Sequence, residues 1–185
     1  MKRLFNLPAL SHAGGGFALA FVTLAQAADG LSLETGYGTH TVMERLALSQ
    51  SWNRHWFEQN GWALSGYWDV SVGHWVPNAG AGGNHEINEY GITPVFRYAA
   101  TTTSGNCIPF IEAGIGAHYL DRTDVYSGHD MTTHFQFGDH IGAGVTLGPQ
   151  HDWDVMMRIQ HLSNGGIQNP NPGINFLQLR LGHWF

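Results

Sequence analysis

Ile174-Asn175-Phe176-Leu177-Gln178-Leu179-Arg180-Leu181-Gly182-His183-Trp184-Phe185 is the stretch that decides the fold. Leu177, Leu179, Leu181, His183 and Phe185 take every second position, and Gln178, Arg180, Gly182 and Trp184 fill the gaps. Successive side chains on a strand point to opposite faces, so strict alternation predicts a strand with one apolar and one polar face. A soluble sandwich can carry such a strand. So can a barrel whose apolar face meets lipid.

The other end of the chain favours export. Lys2 and Arg3 form a positive start, Phe17 to Leu24 (FALAFVTL) a short apolar run, and Ala25-Gln26-Ala27 a small-residue cleavage site. That is the pattern of a secretory signal peptide, too short to anchor as a helix. Residues 1–27 are therefore expected to be a signal peptide, and residues 28–185 a single domain. The mature part carries six Arg and no Lys against 14 Asp+Glu, a formal charge of −8 with His neutral, which argues against a nucleic-acid partner. The lone Cys107 cannot form an intramolecular disulfide and reads as a small strand-end or buried residue.

Alternation and turn residues predict eight strands, near 31–39, 42–53, 62–75, 86–99, 107–120, 133–147, 151–162 and 174–185. Eight is even, and each run reaches the roughly 9–11 residues that a tilted spanning strand needs. The connections at 54–61, 100–106 and 148–150 fall at one end; those at 76–85, 121–132 and 163–173 fall at the other and are on the whole longer. Outer-membrane barrels place their longer loops outside the cell, so the second set is expected to be external. The fold expected is all-β: an eight-stranded antiparallel transmembrane β-barrel of the Gram-negative outer membrane. The terminal strand ending in Phe185 then resembles the one that such barrels offer to their assembly machinery. Glycines alternate with Glu112, His118 and His140 on the polar faces of two strands, which suits a narrow interior. Glu112, Arg158 and Arg180 are expected to form an interior polar network, leaving no open channel.

Chemistry enters on the seventh strand. Trp153, Val155, Met157 and Ile159 form its apolar face, and the next members of that row are His161 and Ser163. An imidazole and a hydroxyl thus follow four hydrophobes on the lipid-facing side, near the external boundary. Residues i and i+2 of a strand have Cα atoms about 6–7 Å apart, and favourable rotamers bring ring nitrogen and hydroxyl together. A serine nucleophile requires that pairing, because a neutral imidazole takes the hydroxyl proton during attack. The bland reading is two interfacial polar residues; polar groups on a lipid-facing row nevertheless require an explanation.

The surrounding sequence, His161-Leu162-Ser163-Asn164-Gly165-Gly166-Ile167-Gln168-Asn169-Pro170-Asn171, resembles the signature of the PagL family of lipid A 3-O-deacylases. The resemblance extends upstream to Leu64-Ser65-Gly66-Tyr67-Trp68-Asp69, Thr93-Pro94-Val95-Phe96, Pro109-Phe110-Ile111-Glu112-Ala113-Gly114-Ile115-Gly116 and Ile141-Gly142-Ala143-Gly144. It implies an outer-membrane enzyme that hydrolyses the ester-linked acyl chain at position 3 of lipid A, with lipopolysaccharide and outer-membrane lipids as its partners and a homodimer as a further one. By that resemblance His161 is the general base and Ser163 the nucleophile, while the Asn164 side chain and the Gly166 backbone N–H are the oxyanion-hole donors. A glutamate serves the family as third residue; the matching position here is Asn175, on the outward row of strand eight. An amide oxygen can fix the imidazole tautomer but offers no full charge. Asp139, on the outward row of strand six, is the alternative orienting acid.

The twelve histidines show no paired ligand spacing on a helix, so neither metal nor other cofactor is expected. Two function classes remain open on the residues. One is a serine esterase of the outer membrane, with acyl transfer to an alcohol as a weaker variant. The other is a non-catalytic small barrel for adhesion or envelope structure.

Overall fold

The computed structural model describes residues 28–78, 85–101 and 106–185; the expected signal segment 1–27 lies outside them. Eight long strands build the molecule: β1 (Gly30–Gly38), β2 (Thr41–Ser51), β4 (Trp62–Pro77), β5 (Ile87–Ala100), β6 (Cys107–Leu120), β9 (Phe135–Leu147), β10 (Trp153–Ser163) and β11 (Ile174–Trp184). Three short ones decorate its ends: β3 (Trp56–Gln59), β7 (Asp124–Tyr126) and β8 (His129–Asp130). Each long strand runs antiparallel to its neighbours in sequence, and β1 pairs with both β2 and β11. The sheet is therefore closed, which removes its free edges. Closure also ties the ends of the chain together: the Phe185 N–H donates to Asp29 O at 2.9 Å.

The eight expected strands are all present, with limits shifted by a few residues. The short strands lie inside connections expected to be irregular. β3 folds back on β4 through Asn60 and Gly61, at φ 53° and 75°, so that this turn is a tight hairpin. β7 and β8 form a second small hairpin inside the 121–134 connection.

Alternation holds around the barrel. On β10, Asp154, Met156, Arg158 and Gln160 are buried while Trp153, Val155, Met157 and Ile159 are exposed. Leu177, Leu179 and Leu181 of β11, and Ile111 and Ile115 of β6, continue the exposed apolar surface. Such a belt on a closed barrel is the surface of a lipid-immersed wall. Trp52 meets Trp56, Trp68 and Phe96 at centroid distances of 6.0, 6.0 and 5.1 Å, an aromatic cluster at the short-turn end.

The interior is polar in its middle and apolar towards the long loops. Glu34 pairs with Arg45, Arg158 and Arg180. Arg180 also reaches Asp69 at 3.0 Å and the Tyr67 hydroxyl at 2.6 Å. Arg97 bridges Glu112 and Asp154 at 3.0 and 2.7 Å. Glu89 accepts hydrogen bonds from Arg45 at 2.7 and 2.9 Å and from Trp75 Nε1 at 2.8 Å, and lies 2.6 Å from His118 Nδ1. These groups are almost wholly removed from solvent, so each charge needs the partners it has. Above them Met43, Trp75, Ile87, Leu120, Leu162, Ile174 and Phe176 pack with Val125 and Met131 from the 121–134 connection. That connection folds inward and stoppers the mouth. The site lies on the outer wall just beside this stopper.

Candidate active site

His161 and Ser163 close β10 on its outward row, and both are half-buried. His161 stands directly opposite Asn175 of β11 on one side and Asp139 of β9 on the other; Ser163 faces Phe137. Parity puts all of these side chains on the membrane side of the wall. The His161 Nδ1 lies 2.8 Å from Asn175 Oδ1. An amide oxygen in that position makes Nδ1 the protonated nitrogen and leaves Nε2 with its lone pair. Asp139 is exposed on the same outward belt, and no hydrogen bond joins it to the imidazole.

No hydrogen bond closes between His161 and Ser163 in this structure. The two are i and i+2 on one strand, so rotamer changes alone bring the ring to the hydroxyl. Such contacts are commonly loose before substrate binds.

Beyond Ser163 the chain turns away from the wall. Gly165 and Gly166 take φ 64° and 82°, left-handed values open to glycine. The return passes through Gly173 at φ 61°, where a Cβ would stand 2.6 Å from His161 Cε1. Only a glycine lets the loop lie flat against the imidazole, so Gly173 limits where the ring can swing.

Asn164 is fully buried and turned into the loop. Its Nδ2 donates to Thr132 Oγ1 and to Gln168 O, each at 2.9 Å, and reaches Met131 O at 3.4 Å. Its Oδ1 accepts the Gly166 N–H at 2.9 Å, and its own N–H donates to Asn171 Oδ1 at 3.0 Å. The two groups expected to serve an oxyanion are thus brought together beside Ser163, but here they bond to each other and to the loop. Thr132, Met131 and Gly173 carried no signal of their own in the sequence. Thr132 and Met131 lie in a loop without periodicity, and Gly173 reads as an ordinary turn residue.

The 121–134 connection also touches the far end of this loop. Burial pulls the His129 imidazole down from its ordinary value, and the nearby Gly173 backbone opposes the shift. Among the described residues, no group of three or more His, Cys, Asp or Glu could hold a metal ion. The arrangement provides a tautomer-fixed imidazole, a hydroxyl within a rotamer change of it, and a glycine-rich turn with amide donors.

Comparison with known proteins adds family information. Residues 40–184 match the family model described as lipid A 3-O-deacylase (PagL). The chain is 33% identical over 180 residues to a lipid A deacylase PagL of Pseudomonas aeruginosa, covering 97% of this chain and 96% of the relative. A lipid A deacylase PagL of Bordetella bronchiseptica is 30% identical over 191 residues, covering 100% of this chain and 96% of that one. Among solved structures, the crystal structure of the outer membrane enzyme PagL superposes with a TM-score of 0.73 at 30% identity, covering 84% of this chain and 99% of that one.

Proposed function

The chain belongs to the lipid A 3-O-deacylase (PagL) family, and from that membership we propose that it removes the ester-linked 3-hydroxyacyl chain at position 3 of lipid A by serine-esterase chemistry. Ser163 is the nucleophile, His161 the general base and Asn175 the residue that orients the base. The observation that carries this reading is the His161 Nδ1–Asn175 Oδ1 contact of 2.8 Å on the lipid-facing wall, two residues from Ser163.

With Nδ1–H held by Asn175, the lone pair on Nε2 takes the Ser163 proton as Oγ attacks the ester carbonyl. Collapse of the tetrahedral species breaks the carbonyl–oxygen bond to the sugar, whose 3-hydroxyl leaves with the proton held on His161. Water, deprotonated by the same imidazole, then releases the fatty acid and restores Ser163. The developing oxyanion is served by the Gly166 N–H and by one N–H of Asn164 Nδ2, which give up Asn164 Oδ1 and Gln168 O for the substrate oxygen while the second Nδ2 proton stays on Thr132 Oγ1. Lipid A of the outer leaflet is the substrate, a reading supported by the outward parity of His161 and Ser163 on the apolar wall. Phe185, exposed beyond β11, supports the docking of that strand to the barrel assembly machinery.

Expression in a lipopolysaccharide-bearing host should remove one 3-hydroxyacyl chain from lipid A, read by mass spectrometry. An unchanged spectrum with folded barrel in the membrane would overturn the proposal.

The third residue has its own test. Asn175→Ala should cut turnover by about 10- to 100-fold, less than loss of the nucleophile, because the imidazole loses orientation but no covalent step is removed. Asn175→Glu should keep activity or raise it, since a carboxylate stabilises the imidazolium. Asp139→Ala serves as the comparison in the same assay. If it collapses turnover while Asn175→Ala does not, the orienting group belongs to β9.

A further inference from the structure

The fully buried Asn164 owes much of its position to a residue of another loop. Thr132 lies 32 residues earlier in the chain, in the connection that stoppers the barrel mouth. Its hydroxyl accepts from Asn164 Nδ2 at 2.9 Å and donates to Pro170 O at 2.9 Å. A single hydroxyl therefore uses one lone pair and its one proton to clamp two points of the 164–173 loop.

Its backbone confirms how closely Thr132 is held. It stands at φ 63°, a left-handed value that β-branched residues avoid. Its N–H donates to Asp130 Oδ1 at 2.8 Å, which fixes the turn that aims the hydroxyl at the loop. The adjacent Met131 is fully buried in the apolar stopper, so the clamp rests on the packed part of the molecule. A residue held in a sparsely populated conformation persists only where its surroundings over-determine it.

We propose that Thr132 is a positioning residue for lipid A hydrolysis, acting through Asn164 to hold the oxyanion donors beside Ser163. This rests on the esterase reading above. Asn164 is the partner of the Gly166 N–H, so displacement of its amide moves both donors at once. Losing the hydroxyl leaves Asn164 its bonds to Gln168 O and Gly166 N–H and leaves Met131 packed. The loop therefore stays folded, and its aim is what changes.

The test compares Thr132→Val, which keeps the β-branch and removes the hydroxyl, with Thr132→Ser, which keeps the hydroxyl. Both are assayed as purified full-length mature barrel on lipid A, alongside Ser163→Ala and Asn164→Ala. Thr132→Val should lower kcat by about 10- to 100-fold with KM nearly unchanged and with normal heat-dependent gel mobility, and Thr132→Ser should recover most of it. The Thr132→Val/Asn164→Ala double variant should be scarcely slower than Asn164→Ala, because both changes break one unit. Wild-type kcat in Thr132→Val, failure of serine to rescue, additive losses in the double variant, or a kcat loss matched by loss of folded barrel would each overturn the proposal. Activity surviving in Ser163→Ala would instead overturn the esterase reading, whatever Thr132 does.

Discussion

Ser163→Ala and His161→Ala should each lower turnover of lipid A by about 10⁴-fold or more, and the double variant should be scarcely slower than either. In the proposed mechanism the nucleophile and its base act as one unit, so removing either member removes the covalent path. Neither residue supports the barrel. Both lie on the outward row of β10, whereas the interior ion pairs use Asp154 and Arg158 of the same strand. Heat-dependent gel mobility should therefore match the unsubstituted protein. Near-normal turnover in Ser163→Ala would remove it as nucleophile even with the family assignment intact, and additive losses would separate His161 from the serine.

The opposite separation is expected in the lumen. Glu89→Ala should cost about 3–5 kcal/mol of barrel stability, because it strands buried cationic and polar partners. Arg45 loses two hydrogen bonds, His118 a contact of 2.6 Å and Trp75 the acceptor for its Nε1. Arg45 keeps Glu34 at 3.2 Å, so the network is weakened and not abolished. The midpoint of urea unfolding in lipid vesicles, followed by gel mobility, measures the loss. Turnover per folded molecule should stay close to the unsubstituted value, since Glu89 faces inward and the reacting groups face lipid. A stability change below about 1 kcal/mol would show that His118 and Arg45 repartner.

The alternation of β10 and β11 was readable because lipid and lumen impose opposite demands on neighbouring residues. That parity alone placed His161, Ser163 and Asn175 on one side of one wall, and the observed register adds that His161 and Asn175 are directly opposite. Glu112, Arg158 and Arg180 were readable as inward polar residues, but their partners were not. Arg180 meets Asp69 and Arg158 meets Glu34 across the lumen, pairings fixed by closure of the sheet. The stopper was hidden for a different reason. Val125 and Met131 sit in a connection with no dyad pattern, and their burial depends on where the barrel mouth falls. The orientation of Asn164 was equally unreadable, since one of its partners, Thr132, comes from that same connection.

A closed mouth also decides where the second reactant comes from. In the proposed reaction deacylation consumes water, and the lumen behind the wall is packed with ion pairs beneath an apolar stopper. The expected source is therefore the aqueous phase over the 164–173 loop. Ser163, the final residue of β10, stands at the edge of the apolar wall beside that loop. Two periods lower, at Ile159, a nucleophile would lie deeper in the apolar belt, farther from that water and among acyl tails that carry no ester. The length of one strand thus sets whether the proposed nucleophile meets water as well as lipid.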